Sequence, residues 1–225
     1  MSLEATEARE VPRTALTSPS ALRFSDQLLV LIFKQLGYKT LLHPRGICRR
    51  FKALLERPSF DAAFFRQPPL DPPQRRQKYF IHPMLDAADC GRVTREMANI
   101  THWSKQISDF EWVEFNAFDY AAVEEFATAP ACTSIEIQLE DARVGRVYDE
   151  KGVTVKQVLH ACADFWAKPV HPWTAKKARE AYHWLKNEKT ITTLNMLGDR
   201  FFEGWEEPKN VGNGRVHLIS RGFGS

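Results

Sequence analysis

Few residues of this 225-residue chain have the types and spacing that catalysis or metal binding requires. Asp86 and Asp89 stand beside Cys90 and could form a metal or nucleophile site, but solvated carboxylates at a helix start and a buried thiol explain them more simply. His160 and Cys162 are two positions apart on a predicted helix, so they do not share a face and are poor co-ligands. We therefore expect no catalytic residue, no metal site and no cofactor.

Other signatures of chemistry are also missing from the sequence. It contains no Gly-rich phosphate-binding loop, no nucleophile elbow and no zinc-protease motif. The four cysteines lie at least 30 residues apart, which is neither a disulfide framework nor a zinc pattern and suits a reducing compartment: Cys48, Cys90, Cys132 and Cys162. The first 20 residues lack the apolar core of a signal peptide, and no run reaches the roughly 18 apolar residues of a membrane helix. We expect a soluble intracellular protein of the cytoplasm or nucleus, without a membrane partner.

Positive charge is concentrated in the N-terminal third. Residues 1–66 hold 11 Lys/Arg against 6 Asp/Glu, a net charge of +5, and the remaining residues hold 20 against 22, a net charge of −2. Any electrostatic partner is therefore expected to meet this third and to be acidic. Five basic residues on a predicted helix over 45–57 could mimic a DNA-recognition helix: Arg45, Arg49, Arg50, Lys52 and Arg57. The same helix carries an apolar stripe and no Asn, Gln or Ser, so a solvated cationic face is the simpler interpretation and nucleic acid is disfavoured.

The elements that must carry any function begin with the apolar run Leu28 to Phe33, on a helix predicted over 24–36. Ser25 is its expected N-cap, and Asp26 falls in the first turn, where the helix dipole favours a carboxylate. One wide stripe holds most of the apolar residues and leaves Val30 and Leu31 outside it: Leu28, Leu29, Ile32, Phe33 and Leu36. A helix that is apolar on more than one side implies burial on more than one side.

Prolines indicate the next boundaries. Pro44 disfavours helix at the residue before it, so residues 38–44 are expected to form only a short helical turn. The helix over 45–57 ends at Pro58 and has five residues on its apolar face: Ile47, Cys48, Phe51, Leu54 and Leu55. Four prolines within residues 67–73 indicate a linker. The chain is thus divided into four parts: a disordered lead-in (1–21), a three-helix module (22–66), a Pro-rich linker (67–78) and a mixed α+β domain (79–225).

The α+β domain is predicted from several local signals. Residues 134–139 alternate apolar and polar side chains as a half-buried strand does, and residues 143–149 are expected to pair with them. A capping box of Thr154 and Gln157 begins the helix over 154–166, which is expected at the centre of the domain core. A strand is predicted over 110–120, followed by a helix. Another helix is predicted over 174–186, with four residues facing inward: Ala178, Ala181, Tyr182 and Leu185. The chain is expected to end in closing strands with an Asn213-Gly214 turn. Three tryptophans fit no buried stripe and are candidate target-binding residues: Trp103, Trp173 and Trp205.

The helical module resembles the F-box family. The resemblance lies in Phe24-Ser25-Asp26-Gln27-Leu28-Leu29, Ile32-Phe33, Leu36, Leu41-Leu42, Ile47-Cys48-Arg49-Arg50-Phe51 and Leu54, with the Cys-Arg-Arg-Phe block as its most specific part. The chain departs from the family pattern at Ser25 and Gln27, where proline and glutamate are usual, at Phe51 in place of tryptophan, and at Pro44 in the second helix. Residues 79–225 more weakly resemble the uncharacterised C-terminal regions of fungal F-box proteins.

The resemblance implies a function in ubiquitin ligation. An F-box would bind the acidic Skp-type adaptor, and through it the cullin, of an SCF-type cullin–RING ubiquitin ligase, while the C-terminal domain would recruit an unknown protein target. The residues that would serve adaptor binding are Phe24, Leu28, Leu29, Ile32, Phe33, Leu36, Leu41, Ile47, Cys48, Phe51 and Leu54. A module of about 40 residues without metal or disulfide usually needs a partner, which fits this expectation. Two alternatives stay open: a basic helical nucleic-acid-binding module, and an enzyme whose site is assembled only in three dimensions.

Overall fold

The computed structural model describes residues 24–74, 76–87, 102–108, 111–196 and 201–224. The expected lead-in over 1–21 lies outside this part of the chain. Three helices come first, α1 (Asp26–Phe33), α2 (Tyr38–Ile47) and α3 (Arg49–Leu55), followed by a 3-10 turn at Pro58–Phe60. Mixed strands and helices follow, which confirms an α+β class.

Helix α1 begins as predicted and ends earlier. The Ser25 hydroxyl accepts a hydrogen bond from the backbone N–H of Leu28 (3.3 Å), which confirms Ser25 as the N-cap. After Phe33 the chain tightens, because the N–H groups of Gln35 and Leu36 donate to carbonyls three residues back. The regular helix therefore stops at Phe33 instead of continuing towards Gly37.

The proline and cysteine between α1 and α3 act differently from the prediction. Pro44 lies inside a ten-residue α2 rather than ending a short turn. Proline removes one helical hydrogen bond, and its buried ring offsets that loss by packing. The prediction of a single helix over 45–57 is also wrong, because Cys48 is extended (φ −155°, ψ 160°) and separates α2 from α3. Ile47 is consequently 65% exposed at the end of α2 and does not share the buried face of α3.

The helical module has its own core. Its buried apolar residues are Leu29, Phe33, Leu41, Phe51, Leu54, Leu55, Phe60 and Phe64. The rings of Phe33 and Phe51 meet edge to face with their centroids 5.3 Å apart, which joins α1 to α3. Close packing of this kind explains how so short a module can hold three helices together.

The α+β part is built on a sheet of four strands, β5 (Ser134–Leu139), β6 (Ala142–Tyr148), β8 (Lys209–Gly212) and β9 (Arg215–Ile219). Their order across the sheet is β6-β5-β9-β8. The antiparallel β5–β6 pair is confirmed, and β5 also pairs in parallel with β9. Asn213 and Gly214 both have positive φ (54° and 67°), as the predicted two-residue turn between β8 and β9 requires.

Helix α5 (Val155–Trp166) covers this sheet. Thr154 and Gln157 form the predicted capping box, with the Thr154 N–H donating to Gln157 Oε1 (2.8 Å). Its buried face shares one core with sheet residues: Val155, Val158, Leu159, Cys162 and Trp166 pack with Ile135, Ile137, Leu139, Val216 and Leu218. The predicted position of this helix in the domain core is therefore confirmed.

The remaining described strands form three separate two-stranded sheets. Strand β1 (Phe80–Ile81) pairs with β4 (Thr128–Ala129), β2 (His102–Ser108) with β3 (Glu111–Asn116), and β7 (Phe201–Phe202) with β10 (Phe223–Gly224). A short helix, α4 (Pro83–Ala87), follows β1.

Two predicted helices in the α+β part differ from the structure. The strand expected over 110–120 ends at Asn116 and is followed by a 3-10 turn (Ala117–Asp119), after which Tyr120 is extended. In place of the helix expected next, the chain forms a second 3-10 turn (Ala121–Glu124) and then strand β4. Helix α6 (Pro172–Ala181) starts earlier and ends earlier than expected, since Tyr182 is extended. Ala178 is buried as predicted, whereas Ala181 and Tyr182 are exposed, and Leu185 is buried from a separate 3-10 turn (His183–Leu185).

The Pro-rich segment 67–78 packs against the α+β part where the structure describes it. The Gln67 carbonyl accepts a hydrogen bond from the Ala131 N–H (3.3 Å), and the Gln77 carbonyl accepts one from the Asn210 side chain (2.8 Å). Lys78 and Glu207 form an exposed ion pair of 2.7 Å. The two apolar cores lie on either side of this segment in the sequence, and independent folding of the two parts stays a prediction.

Candidate functional site

Helix α1 presents an apolar stripe that no other described residue covers fully. Phe24, Leu28, Leu31 and Ile32 are between 40 and 61% exposed. Leu28, Leu31 and Ile32 follow the spacing of three and four residues that places side chains on one face of a helix, and Phe24 immediately precedes the Ser25 cap. We name these four residues the α1 stripe. Leu29 and Phe33, about 100° further round the helix, are buried in the module core. The six-residue apolar run is thus divided between a core face and an exposed face.

The eleven expected adaptor-binding residues divide in the same way. Five are buried inside the module and cannot themselves form a contact surface: Leu29, Phe33, Leu41, Phe51 and Leu54. Leu36 and Cys48 are partly buried against that core. Phe24, Leu28, Ile32 and Ile47 are exposed. The core itself requires the buried residues, so their apolar character in the sequence reflects folding rather than docking.

Sequence reasoning missed two exposed apolar residues, Leu31 on α1 and Leu42 on α2. Leu31 fell outside the predicted stripe and was not assigned a role. The position of Leu31 outside the stripe could have indicated its exposure, because a residue opposite the core face of a surface helix points towards solvent.

An ion pair holds the start of α1 against α3. Arg50 donates two hydrogen bonds to Asp26 Oδ1 (2.9 and 2.7 Å) and one to the Phe24 carbonyl (2.6 Å). Arg57 donates to the other Asp26 oxygen at 3.2 Å. The hydrogen bond from Arg50, reinforced by both positive charges, holds the pKa of the Asp26 carboxyl below its usual range. The α1 stripe is therefore carried on a helix whose N-terminal end is tied to its neighbour.

The same contacts bear on the nucleic-acid alternative. Among the basic residues considered for base recognition, Arg50 and Arg57 bind Asp26, and Lys52 lies 3.9 Å from Glu56. Arg45 lies over the Phe64 ring at 5.9 Å from its centroid. Helix α3 is only seven residues long. These four side chains contact other groups of the module, and the fifth, Arg49, is exposed. The four contacts do not favour a DNA-reading role.

The three candidate tryptophans have different positions. Trp173 is 60% exposed on α6, and Lys177 Nζ lies 3.9 Å from the centre of its ring. Trp205 is only 2% exposed, and its indole N–H donates to the Leu85 carbonyl (3.2 Å). The assignment of Trp205 to a recognition surface is therefore wrong, because its ring fills the α+β core. The side chain of Trp103, on β2, lies outside the described residues.

The cysteine, histidine and aspartate residues considered for catalysis or metal binding do not come together in a site among the described residues. Burial raises the pKa of the Cys132 thiol to about 11 and that of Cys162 to about 12, so both are protonated at neutral pH. His160 stacks on Phe118 with ring centroids 4.6 Å apart. Within the described ranges, no group of three His, Cys, Asp or Glu residues is placed to hold a metal ion. Asp89 and Cys90 lie outside those ranges.

One cavity of about 390 Å³ opens between the β5–β6 turn and the end of α5. Its walls are Leu139, Glu140, Asp141, Ala142, Phe165, Trp166, Thr193 and Met196. The walls are apolar and aromatic with two carboxylates, and they contain no histidine, cysteine or lysine that could act with them as a catalytic group.

Comparisons with known proteins add no relative to this description. No family model matches the chain, and neither a curated protein nor a solved structure matches it. In the described part of the chain, no helix combines the length and apolar character needed to cross a membrane. The α1 stripe is the candidate functional site with the most direct physical support, because its four large apolar side chains are exposed.

Proposed function

We propose that this chain is a non-catalytic substrate receptor of an SCF-type ubiquitin ligase. In this proposal the α1 stripe contacts a Skp-type adaptor, which connects the chain to the cullin, and the α+β part binds a protein target. The observation that carries the proposal is the exposure of the α1 stripe, which consists of Leu28, Leu31 and Ile32 on the helix and Phe24 just before it. The F-box resemblance supplies the identity of the partner.

The exposed apolar area favours a protein partner. Full burial of one large aliphatic or aromatic side chain is worth about 1.5–3 kcal/mol, so covering the exposed half of four such residues is worth about 3–6 kcal/mol. Leu42 and Ile47 on α2 are exposed as well and can add to this sum. A free energy of this size is a useful part of a specific protein–protein interaction.

Charge supports an acidic partner for the same module. Residues 24–66 hold eight Lys/Arg and three Asp/Glu, a net charge of +5. A module of this charge attracts an acidic adaptor and speeds its association, although charges at the rim of an interface add little to affinity. Basic charge beside an apolar stripe is therefore consistent with the acidic adaptor of the ligase.

A receptor must also hold its target at a defined position relative to the adaptor. The Tyr38 hydroxyl of α2 donates to Glu125 Oε2 (2.8 Å), and the buried His82 ring lies 3.0 Å from the same oxygen. His82 Nδ1 accepts a hydrogen bond from the Met84 N–H (3.0 Å), so its Nε2 carries the proton that is donated to Glu125. The rings of Tyr38 and Phe65 lie 4.8 and 4.6 Å from His82. These contacts, which we name the junction, join the helical module to the α+β part.

Substitutions on the exposed face test the adaptor contact. Leu28→Asp or Ile32→Asp places a charge where the adaptor would bury it, and we expect adaptor binding to weaken by at least about tenfold while the chain stays folded. Val211→Asp on β8 is the control, because Val211 is also an exposed apolar residue and lies in the α+β part. Leu29→Asp is unsuitable, since Leu29 is buried and its replacement would unfold the module.

Binding is measured by isothermal titration calorimetry of the purified chain with a Skp-type adaptor, and folding by circular dichroism. Co-expression with the adaptor should also raise the soluble yield of the wild-type chain, because binding stabilises the folded state by mass action. Equal adaptor affinity for the wild type, Leu28→Asp and Ile32→Asp would show that the α1 stripe is not the docking surface. No binding by the folded wild type would refute the proposal.

A further inference from the structure

The segment 169–192 forms a small folded unit that leaves and rejoins the α+β part at one place. The Lys168 carbonyl accepts the Thr193 N–H (2.9 Å), and the Ile191 carbonyl accepts the Val170 N–H (2.9 Å), so the two ends are hydrogen-bonded together. Its own apolar core is separate from that of the sheet and consists of Ala175, Ala178, Leu185 and Ile191. The unit contains α6 and the 3-10 turn at His183–Leu185.

This unit exposes large aromatic side chains that its core does not use. Trp173 at the start of α6, Tyr182 at its end and Trp184 in the following turn are all exposed. The ring centroids of Tyr182 and Trp184 lie 4.9 Å apart with their planes 35° from parallel, so the two rings form one aromatic pair at the surface. Trp and Tyr are enriched among the residues that dominate protein–protein binding, because each buries a large area with few rotatable bonds.

The unit also carries an excess of positive charge. Residues 169–192 hold five Lys/Arg and two Asp/Glu. Arg179 has a structural role, since its guanidinium donates to the carbonyls of Glu188 and Lys189 (2.9 and 3.2 Å). The lysines at 176, 177, 186 and 189 remain at the surface, with the Lys177 ammonium against the Trp173 ring. The surface therefore offers aromatic area next to amines and suits an anionic ligand.

We propose that Trp173, Tyr182, Trp184 and the adjacent lysines bind an acidic segment of a partner protein that also carries apolar side chains. The identification of this segment as part of the receptor's target rests on the function proposed above. Its carboxylates meet the lysines, while its apolar side chains cover the Tyr182–Trp184 face. Trp173 was a sequence candidate for target binding, and the structure adds the exposed pair Tyr182 and Trp184 on the same small unit.

A single-stranded nucleic acid is the competing anionic ligand. It requires free aromatic faces on which successive bases stack, together with cations for the phosphates. Tyr182 and Trp184 are instead tilted against each other, and one face of Trp173 is occupied by Lys177. Arg179, the side chain best suited to bidentate phosphate binding, is used by backbone carbonyls. These contacts favour an acidic peptide over a nucleic acid.

A peptide array tests the class of ligand with the full-length chain. The array carries 15-residue peptides with equal aromatic and aliphatic content, in an Asp/Glu-rich, a neutral and a Lys/Arg-rich set. We expect retention mainly on the Asp/Glu-rich set, weakening as salt screens the lysines. The strongest binder, with a fluorescent label, is then titrated with the wild type and with variants, and a 15-nucleotide poly-dT strand is titrated in parallel.

Matched variants locate the binding surface. Trp184→Ala and the double variant Lys176→Glu/Lys186→Glu are expected to weaken peptide binding by about tenfold or more. Tyr148→Ala and Arg146→Glu, which change an exposed ring and an exposed cation on β6, are expected to change it by less than about twofold. No preference for acidic peptides, tighter binding of poly-dT, or equal effects of the two sets of variants would each overturn the proposal.

The adaptor assay on the same samples separates this proposal from the proposed function. Leu28→Asp should bind the acidic peptide normally and lose the adaptor, whereas Trp184→Ala should do the reverse. Peptide binding without adaptor binding by the wild type would refute the ligase function and leave the acidic-segment site in place. Adaptor binding without peptide binding would refute only the site.

Discussion

At the scale of single residues, neighbours in the sequence have opposite surroundings. Leu29 and Phe33 are buried in the helical module, whereas Leu28 and Ile32, each one position away, are 42 and 40% exposed. The rotation of about 100° per residue in a helix explains this difference without any difference in residue type. A role in docking can therefore be assigned only to the exposed members of the apolar run.

Truncation of one residue from each face tests this division. Leu29→Ala removes buried methyl groups and should lower the free energy of unfolding by about 2–5 kcal/mol, because the surrounding core cannot close the cavity fully. Ile32→Ala should lower it by less than about 1 kcal/mol, since much of that side chain is already in water. Urea denaturation of the two variants and the wild type gives the comparison. Similar losses for both would contradict the division into a core face and an exposed face.

At the scale of elements, helix α5 is specified most strongly by its own residues. The Thr154 hydroxyl accepts a hydrogen bond from the Gln157 N–H, and Gln157 Oε1 accepts one from the Thr154 N–H. Gln157 also donates to Asp149 Oδ2 (2.9 Å), which ties the helix start to the end of β6. This hydrogen bond is the main reason why the pKa of the Asp149 carboxyl is lowered. A local signal in the sequence thus becomes part of the packing between a helix and the sheet.

Replacement of the capping residue tests the importance of this start. Thr154→Ala should lower the free energy of unfolding by about 1 kcal/mol, because the Gln157 N–H loses its side-chain acceptor. Thr154→Ser is the control, since serine keeps the hydroxyl and should retain most of the stability. Thermal unfolding followed by circular dichroism measures both. A loss for serine equal to that for alanine would assign the effect to the methyl group rather than to the cap.

At the scale of the whole molecule, the junction and the Pro-rich segment connect two apolar cores. Tyr38 and Phe65 contact His82 and Glu125, and burial together with the Glu125 carboxylate raises the pKa of the Tyr38 hydroxyl, which stays protonated as a donor. The Phe65 carbonyl also accepts the Phe126 N–H (2.9 Å). Removal of the helical module therefore takes away the Tyr38 and Phe65 contacts of His82, Glu125 and Phe126 in the α+β part.

Two truncated chains test how far the parts are independent. We expect residues 79–225 to fold, because the core around α5 and the sheet lies wholly within them. Residues 67–225 should be more stable, since they keep the hydrogen bonds of Gln67 and Gln77 with the α+β part. Urea denaturation compares the two. If residues 67–225 fold and residues 79–225 do not, the Pro-rich segment is part of the C-terminal domain. If neither chain folds, the helical module is needed to complete that domain.

Several features followed directly from the sequence because they depend on neighbouring residues. The Ser25 cap, the Thr154–Gln157 box, the Asn213-Gly214 turn and the alternation of β5 were all predictable, since each involves residues within a few positions of one another. The excess of positive charge in the helical third was likewise a matter of composition. The α+β class came from the order of these local signals.

Only the tertiary structure decided which apolar residues remain exposed and which tryptophan is buried. The exposed face of α1, the burial of Trp205 and the aromatic face of Tyr182 and Trp184 depend on which elements pack together, and such contacts join residues far apart in the sequence. The continuation of α2 through Pro44 and the break at Cys48 have the same origin, because packing outweighed local preference. Periodicity can separate the faces of a helix, but burial depends on what the rest of the chain places against each face.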